Sequence, residues 1–438
     1  MAVSDVDSGR QKAPLVAPNL RVPFILLILC FAAWGAAANL TDVLVGVFRG
    51  IFDMSNFQSS LVQFAYYGAY FCLALPAAFI NKRFGYKAGV LVGLGMAAIG
   101  GVLFLPASGM LVYEMFLLAL FVLAAGLSIL ETSANPFVIA MGDEASATQR
   151  LNLAQAFNPI GANIGVLMGA VLILPRLTPE SSKVIMTEEE LVASQAADLN
   201  LVLQPYLGIA AVLVLIWLLI AFRKFSLPNP PEALDPAATQ GNVASRLWHN
   251  KHYRYGVVAQ FFNVAAQTCV WTFTILYAQD VVGTTPTQAG WWLQASLIIF
   301  LVSRFVMTFL LGIIKPTLLL LIMAVFGVVC CAVAMFSWNI VGLVAVVLVS
   351  ASLSLMFPTI YGVSLQGLSE DAKFGAAGLV MAILGGAIVP MVHAAVMDAV
   401  GPAMGYVVPG ICLALVAAYA VFDLTHSRPA VGSAPAEQ

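Results

Sequence analysis

The sequence predicts an all-α integral membrane protein of twelve transmembrane helices in two six-helix halves. Composition, the spacing of apolar segments, and the sidedness of the charges carry that prediction. The chain has 438 residues, of which 61% are hydrophobic and 9% charged. A soluble domain has about 25% charged residues, and no soluble fold of this length could hide so much apolar surface. The formal net charge of −2 gives no reason to expect an acidic or basic partner, and no nucleic acid.

Residues 1–21 are polar, contain Pro14 and Pro18, and read as a cytoplasmic N-terminal tail. They lack the apolar core of a signal peptide, so the run from Val22 should remain as the first membrane helix. The N-terminal bundle spans 22–222, with apolar segments near 22–47, 57–80, 88–107, 112–139, 150–174 and 202–222. A proline-rich cytoplasmic linker, 223–251, contains Pro228, Pro230, Pro231 and Pro236. The C-terminal bundle spans 252–425, with segments near 254–279, 287–313, 316–337, 340–365, 374–397 and 402–424, followed by a cytoplasmic tail at 426–438. Each segment approaches or exceeds the roughly 20 residues that cross a bilayer. With both termini inside, Lys82, Arg83, Lys87, Arg150, Arg223, Lys224, Arg246, Lys251, Arg254, Lys315, Lys373 and Arg428 are cytoplasmic. Only Arg49, Arg176 and Lys183 fall outside, which is the positive-inside pattern. The acidic run Glu188-Glu189-Glu190 reads as a solvated external loop with room for a short surface helix.

The halves read as diverged copies. Leu127-Ser128-Ile129-Leu130 matches Leu353-Ser354-Leu355-Met356, and Asp143-Glu144 leading to Arg150 matches Glu370-Asp371 leading to Lys373. The common offset, about 223 to 227 residues, favours duplication over chance.

Two carboxylates, Asp42 and Glu131, fall inside membrane-length segments. An ionised carboxylate at mid-bilayer costs at least a few kcal/mol, so such residues mark a functional site by default. Residues at i, i+3, i+4 and i+7 share a helix face. Asn39 and Asp42 do so on the first helix, and Ser128, Glu131 and Asn135 on the fourth. Asn152, Gln155 and Asn158 lie in one arc of the fifth, with Asn163 at its edge. Gln260, Asn263, Gln267, Trp271 and Thr274 form a stripe on the seventh. Amides facing lipid would be unsatisfied, so these stripes face the bundle interior. Such amides can simply join helices, but so many at similar depth favour a site. Mixed donors and acceptors beside aromatic rings suit a neutral polyol, whose hydroxyls need both partners. Trp271, Phe357 and Tyr361 are the aromatic candidates, with Tyr66, Tyr67 and Tyr70 behind them, while Trp291 and Trp292 read as interface anchors.

Arg304 lies within the eighth helix, where it can snorkel, pair with a carboxylate, or meet a cytoplasmic helix end. His393 is a candidate proton relay, although a lone histidine on an apolar helix is more often structural. Pro76, Pro136, Pro159, Pro358 and Pro390 fall inside helices and should kink them. The six cysteines show no metal-ligand spacing and read as small buried hydrophobes. No cofactor, metal site, catalytic triad or nucleotide loop is expected, and an enzyme is not.

The chain resembles the fucose permease family of the major facilitator superfamily over nearly all twelve helices. The resemblance begins at Ser55-Asn56-Phe57-Gln58 and continues through Gln63. It is strongest in Leu130-Glu131-Thr132-Ser133-Ala134-Asn135-Pro136-Phe137 and in Arg150-Leu151-Asn152-Leu153-Ala154-Gln155-Ala156-Phe157-Asn158. The second half adds Ala259-Gln260-Phe261, Gln267 and Phe357-Pro358-Thr359-Ile360. The resemblance implies a major facilitator fold in a bacterial inner membrane. It further implies proton coupling through Asp42 and Glu131, and sugar contacts at Gln155 and Asn158. Asn81-Lys82-Arg83-Phe84-Gly85-Tyr86-Lys87 resembles the superfamily's loop after the second helix, with Asn81 where an aspartate is common.

The expected partners are therefore a neutral monosaccharide, a proton and the lipid bilayer. A protonated Glu131 can donate to a sugar hydroxyl, whereas an ionised one strands a charge, and that difference can couple the two ligands. A sodium-coupled or uncoupled sugar carrier, an efflux antiporter and a non-transporting sugar sensor stand as alternatives.

Overall fold

The computed structural model describes residues 14–51, 56–110, 112–173, 176–178, 182, 186–224 and 242–426. Most of the N-terminal tail, the linker between 225 and 241, and the last residues lie outside that set. The first half contains α1 (Arg21–Ile51), α2 (Asn56–Phe84), α3 (Tyr86–Met110), α4 (Tyr113–Ile139), α5 (Ala147–Gln155), α6 (Asn158–Met168) and α7 (Glu188–Ala221). A short α8 (Val243–His249) leads into the second half. There follow α9 (Lys251–Asp280), α10 (Pro286–Leu310), α11 (Pro316–Phe336), α12 (Ile340–Leu353), α13 (Met356–Leu365), α14 (Ala372–Met381), α15 (Gly385–Val400) and α16 (Val407–Thr425). Among the described residues, 11 helical stretches are long and apolar enough to cross a bilayer. The 29-residue α2 is long enough for a twelfth crossing.

Three crossings are each built from two helices, and proline explains two of the joints. Proline has no N–H, so the carbonyl four residues earlier loses its helical partner. Pro159 thereby frees the Gln155 carbonyl between α5 and α6, and Pro358 frees the Ser354 carbonyl between α12 and α13. The duplicated Ser128 and Ser354 segments differ for this reason: Pro358 follows Ser354 by one turn, and α4 runs unbroken through Ser128 to its own Pro136. Pro136 frees the Thr132 carbonyl, which accepts from Asn81 Nδ2 at 3.3 Å. Asn81 thus ties α2 to α4 as a neutral latch.

Charged residues close the helix ends. Arg150 is fully buried and donates to the carbonyls of Val138 (2.8 Å), Ile139 and Leu15 (2.9 Å), capping α4 and pinning the N-terminal segment. Lys87 donates to the Ala221 and Arg223 carbonyls at 3.1 and 2.6 Å, where the macrodipole of α7 is negative. The acidic run, expected in an external loop with room for a short surface helix, opens the 34-residue α7. Thr187 forms a capping box with Glu190, and three glutamates occupy the first turn, where they complement the helix dipole. Outside the membrane segments, Arg246 of α8 forms a bidentate pair with Asp371 at 2.6 and 2.8 Å, which raises the guanidinium pKa.

Each half has its own apolar core, and the first core also takes in Tyr361, Leu365, Ala376 and Ala377 of α13 and α14. The halves therefore meet at the end where α4 terminates. Phe374 of α14 packs edge-on against Phe79 of α2, with ring centroids 5.1 Å apart, and Lys82 lies 5.7 Å from the Phe374 ring.

Helices α1 and α6 touch backbone to backbone. A Cβ on Gly161 would collide with the Ala32 carbonyl oxygen, and one on Gly35 with the Asn158 carbonyl. Overpacking commonly costs about 1–3 kcal/mol, and backbone cannot swing aside as a side chain can. Gly161→Ala is therefore expected to lower the thermal midpoint in detergent by several degrees. Gly208→Ala, with open space around it, should leave that midpoint unchanged. Equal midpoints for the two variants would contradict the close crossing.

Candidate functional site

Glu131 is 1% exposed, and neither of its oxygens has a hydrogen-bond partner. The hydroxyls around it on α4 are occupied elsewhere: Thr132 and Ser133 donate to their own helix, and Ser128 donates to the Tyr70 carbonyl at 3.1 Å. Asn135 follows Glu131 by one turn of α4, and the Ser128 bond sets that helix against Tyr70 of α2. Tyr70 is held by Trp34, whose indole N–H donates to its hydroxyl at 2.7 Å, and its ring lies 5.1 Å from that of Tyr66.

The network extends into both halves. Gln155 donates to Asn135 Oδ1 at 2.8 Å, joining the end of α5 to α4. Asn152 donates to Thr359 Oγ1 of α13 at 3.2 Å, crossing between the halves. On α9, Gln260 and Asn263 are fully buried, and Gln260 Nε2 lies 3.5 Å from the Phe357 carbonyl. Phe357 stacks on Tyr361 at 6.2 Å. Several polar atoms in this region have no protein partner: Asn135 Nδ2, Asn152 Oδ1, Gln260 Oε1, both side-chain atoms of Asn263 and the Tyr361 hydroxyl. Buried polar groups are normally paired, so this mixed set of donors and acceptors marks a polar binding site rather than core.

Other candidates from the sequence have different surroundings. Asn39 donates to the Gly35 carbonyl of its own helix at 3.0 Å. Asn158 donates to the Phe31 carbonyl of α1 at 3.3 Å. Trp271 donates to Ser350 at 3.0 Å and meets Phe300 edge-on at 5.0 Å. Gln267 continues the α9 stripe, half-buried. The backbone of α1 carries Asp42, but its side chain lies outside the described residues. His393 is buried between Phe273 and Tyr406, at 4.5 and 5.4 Å, with no partner on either ring nitrogen and no contact joining it to Glu131 among the described residues. The described residues contain no cluster of three or more metal-ligating side chains.

Arg304 neither snorkels nor pairs with a carboxylate among the described residues. It is 4% exposed, and its Nε and Nη1 donate to the carbonyls of Ser354 (2.6 Å) and Gln155 (3.2 Å). Its guanidinium lies 4.6 Å from the Phe300 ring. Both acceptors are carbonyls freed by proline. Sequence reasoning named Arg304, Pro159 and Pro358 separately. The signal that joins them is the residue four positions before each proline. Trp34 and Ser350 went unnoticed, because single polar or aromatic residues on apolar helices carry no pattern of their own.

The fold and site define a polytopic membrane transporter with a polar chamber between two helical halves. A family model described as Major Facilitator Superfamily matches residues 24–383. The L-fucose-proton symporter of Escherichia coli (strain K12) is 38% identical over 95% of this chain and 95% of its own. The Glucose/galactose transporter of Brucella abortus biovar 1 is 34% identical, over 90% of this chain and 92% of its own. The crystal structure of the transporter FucP in the outward conformation superposes with a TM-score of 0.86 at 38% identity, covering 92% of this chain and 99% of that one. The chain belongs to the fucose permease family of the Major Facilitator Superfamily, and so to the transporters rather than the enzymes.

Proposed function

We propose that this chain imports a neutral monosaccharide, fucose or a related hexose, together with a proton by alternating access. The observation that carries this reading is the set of unpaired buried donors and acceptors, drawn from both halves, around a mid-membrane carboxyl without a partner. Family membership supports it: the relatives compared above are named as a fucose–proton symporter and a glucose/galactose transporter.

In this reading the bundles at 22–222 and 252–425 rock about the site, as repeat halves do around a midplane ligand. The tail at 1–21, the linker at 223–251 and the tail at 426–438 are cytoplasmic, in a bacterial inner membrane. Glu131 and Asp42 carry the proton. Asn135, Gln155, Gln260, Asn263 and Tyr361 offer hydrogen bonds to hydroxyls, and Phe357 and Trp271 offer ring faces. Asn39, Asn158 and Gln267 border the chamber, where a hydroxyl can compete for the present bonds of Asn39 and Asn158.

The test is uptake of labelled neutral sugars into proteoliposomes with an acidic exterior. Accumulation should follow the proton gradient and collapse on adding a protonophore. Accumulation that requires external sodium and ignores the proton gradient would overturn the proton-coupled reading.

A further inference from the structure

We propose that Arg304 is the pivot of the rocking motion, a positioning residue that joins the halves at mid-membrane while contacts above and below it alternate. The proposal deepens the transport reading and rests on it. Three side-chain hydrogen bonds cross between the fifth crossing, α5 and α6, and the antiparallel α10. Gln149 donates to the Thr308 carbonyl at 3.2 Å, Arg304 to the Gln155 carbonyl at 3.2 Å, and Gln294 to Asn163 Oδ1 at 3.1 Å. The rungs follow one another in antiparallel register, with Arg304 in the middle.

The middle rung differs in kind from the other two. The outer rungs are single hydrogen bonds from neutral amides, and the donors Gln149 and Gln294 are only partly buried. Arg304 is buried, charged and forked, and its two nitrogens take one carbonyl from each half. Those carbonyls are the ones Pro159 and Pro358 deprive of helical partners. Releasing the fork would strand a cation and two carbonyls away from water, a far larger cost than opening an amide rung. Both acceptors also sit at helix C-terminal ends, where a cation is favoured. As the halves rock, the outer rungs can therefore open in turn while the middle one holds. The same fork fixes the backbone of Gln155, whose side chain reaches Asn135 beside Glu131.

The experiment uses full-length protein in liposomes, on a Cys72→Ser background. One spin-label pair, Phe84 with Ile313, reports on the end where α2 terminates; the other, Val112 with Trp338, reports on the opposite end. All four positions are exposed. Gln149→Ala should lengthen the first distance, and Gln294→Ala the second. Arg304→Lys keeps the charge but replaces the fork with one nitrogen. It should leave the balance of the two distances unchanged, while maximal sugar counterflow falls on the order of tenfold and half-saturation changes little. Arg304→Lys shifting one distance, as an outer-rung variant does, would make it a one-sided latch; normal counterflow would make it packing. Either result overturns the pivot. If Arg304→Lys does not fold, the two rung variants decide: both shifting the same end, or neither shifting, overturns it. Wild-type protein in the same liposomes separates the claims, because failure of wild-type counterflow with every sugar tested removes the transport reading itself.

Discussion

Glu131→Gln protein in liposomes is expected to exchange labelled sugar for unlabelled sugar and to fail at accumulating it. Glutamine has nearly the size of a protonated glutamic acid and can still donate a hydrogen bond, but it cannot take up or release a proton. The wild-type carboxyl is buried with no partner on either oxygen, so the substitution removes no protein hydrogen bond and should leave the fold intact. An ionised carboxylate in that position is costly, and in the proposed mechanism closure of the empty carrier follows its protonation. The variant is held permanently in the neutral form. It should bind sugar with little pH dependence, support counterflow near the wild-type rate, and bring the steady-state accumulation ratio to about one, because the coupling free energy between proton and sugar is lost. The decisive comparison is uphill uptake beside counterflow in the same vesicles. Normal proton-driven accumulation would leave Glu131 a structural carboxyl and move the coupling to Asp42 alone.

The fold was legible because a bilayer imposes it. Apolar runs near twenty residues must be helices, since only a helix satisfies its own backbone in hydrocarbon. The common offset of the Ser128 and Ser354 matches and of the loops that follow them pointed to two related halves. Where polarity repeats along a face, as from Gln260 to Asn263, the sequence singled out side chains that are buried with unpaired atoms. Geometry set by another helix was not legible. Pro159 and Pro358 announce kinks, but which group receives the freed carbonyls depends on how α10 lies against α5 and α12. The sequence likewise could not distinguish an amide aimed at solute from one tied to a backbone. Asn158 and Gln155 have the same chemistry and share one arc, yet one holds α1 and the other holds Asn135. The acidic run at Glu188, read as an external loop with room for a short surface helix, is the first turn of the long α7, and Thr187 three residues before Glu190 is its start signal.

That difference between Gln155 and Asn158 leads to the second large effect. Gln155→Ala should weaken sugar binding by about 1–3 kcal/mol, roughly 5- to 150-fold in Kd. It removes the donor to Asn135 Oδ1, and the Asn135 amide nitrogen already has no protein partner. The group beside Glu131 would then be free to turn, and any hydroxyl bound there would lose both a partner and its orientation. Asn158→Ala should also weaken binding within that range, by a different route. Its amide holds the Phe31 carbonyl of α1, so its loss loosens the α1–α6 contact and, in the proposed site, the α1 wall that carries Asn39. The two routes separate in stability. Gln155→Ala acts inside a polar chamber and should leave the thermal midpoint of the sugar-free protein nearly unchanged, whereas Asn158→Ala removes a helix–helix bond and should lower it slightly. Calorimetric titration with sugar at fixed pH, alongside thermal melts, measures both quantities. Unchanged affinity in both variants would assign these amides to helix packing and shift the sugar site toward Gln260 and Asn263, whose side chains keep their unpaired atoms whichever variant is tested.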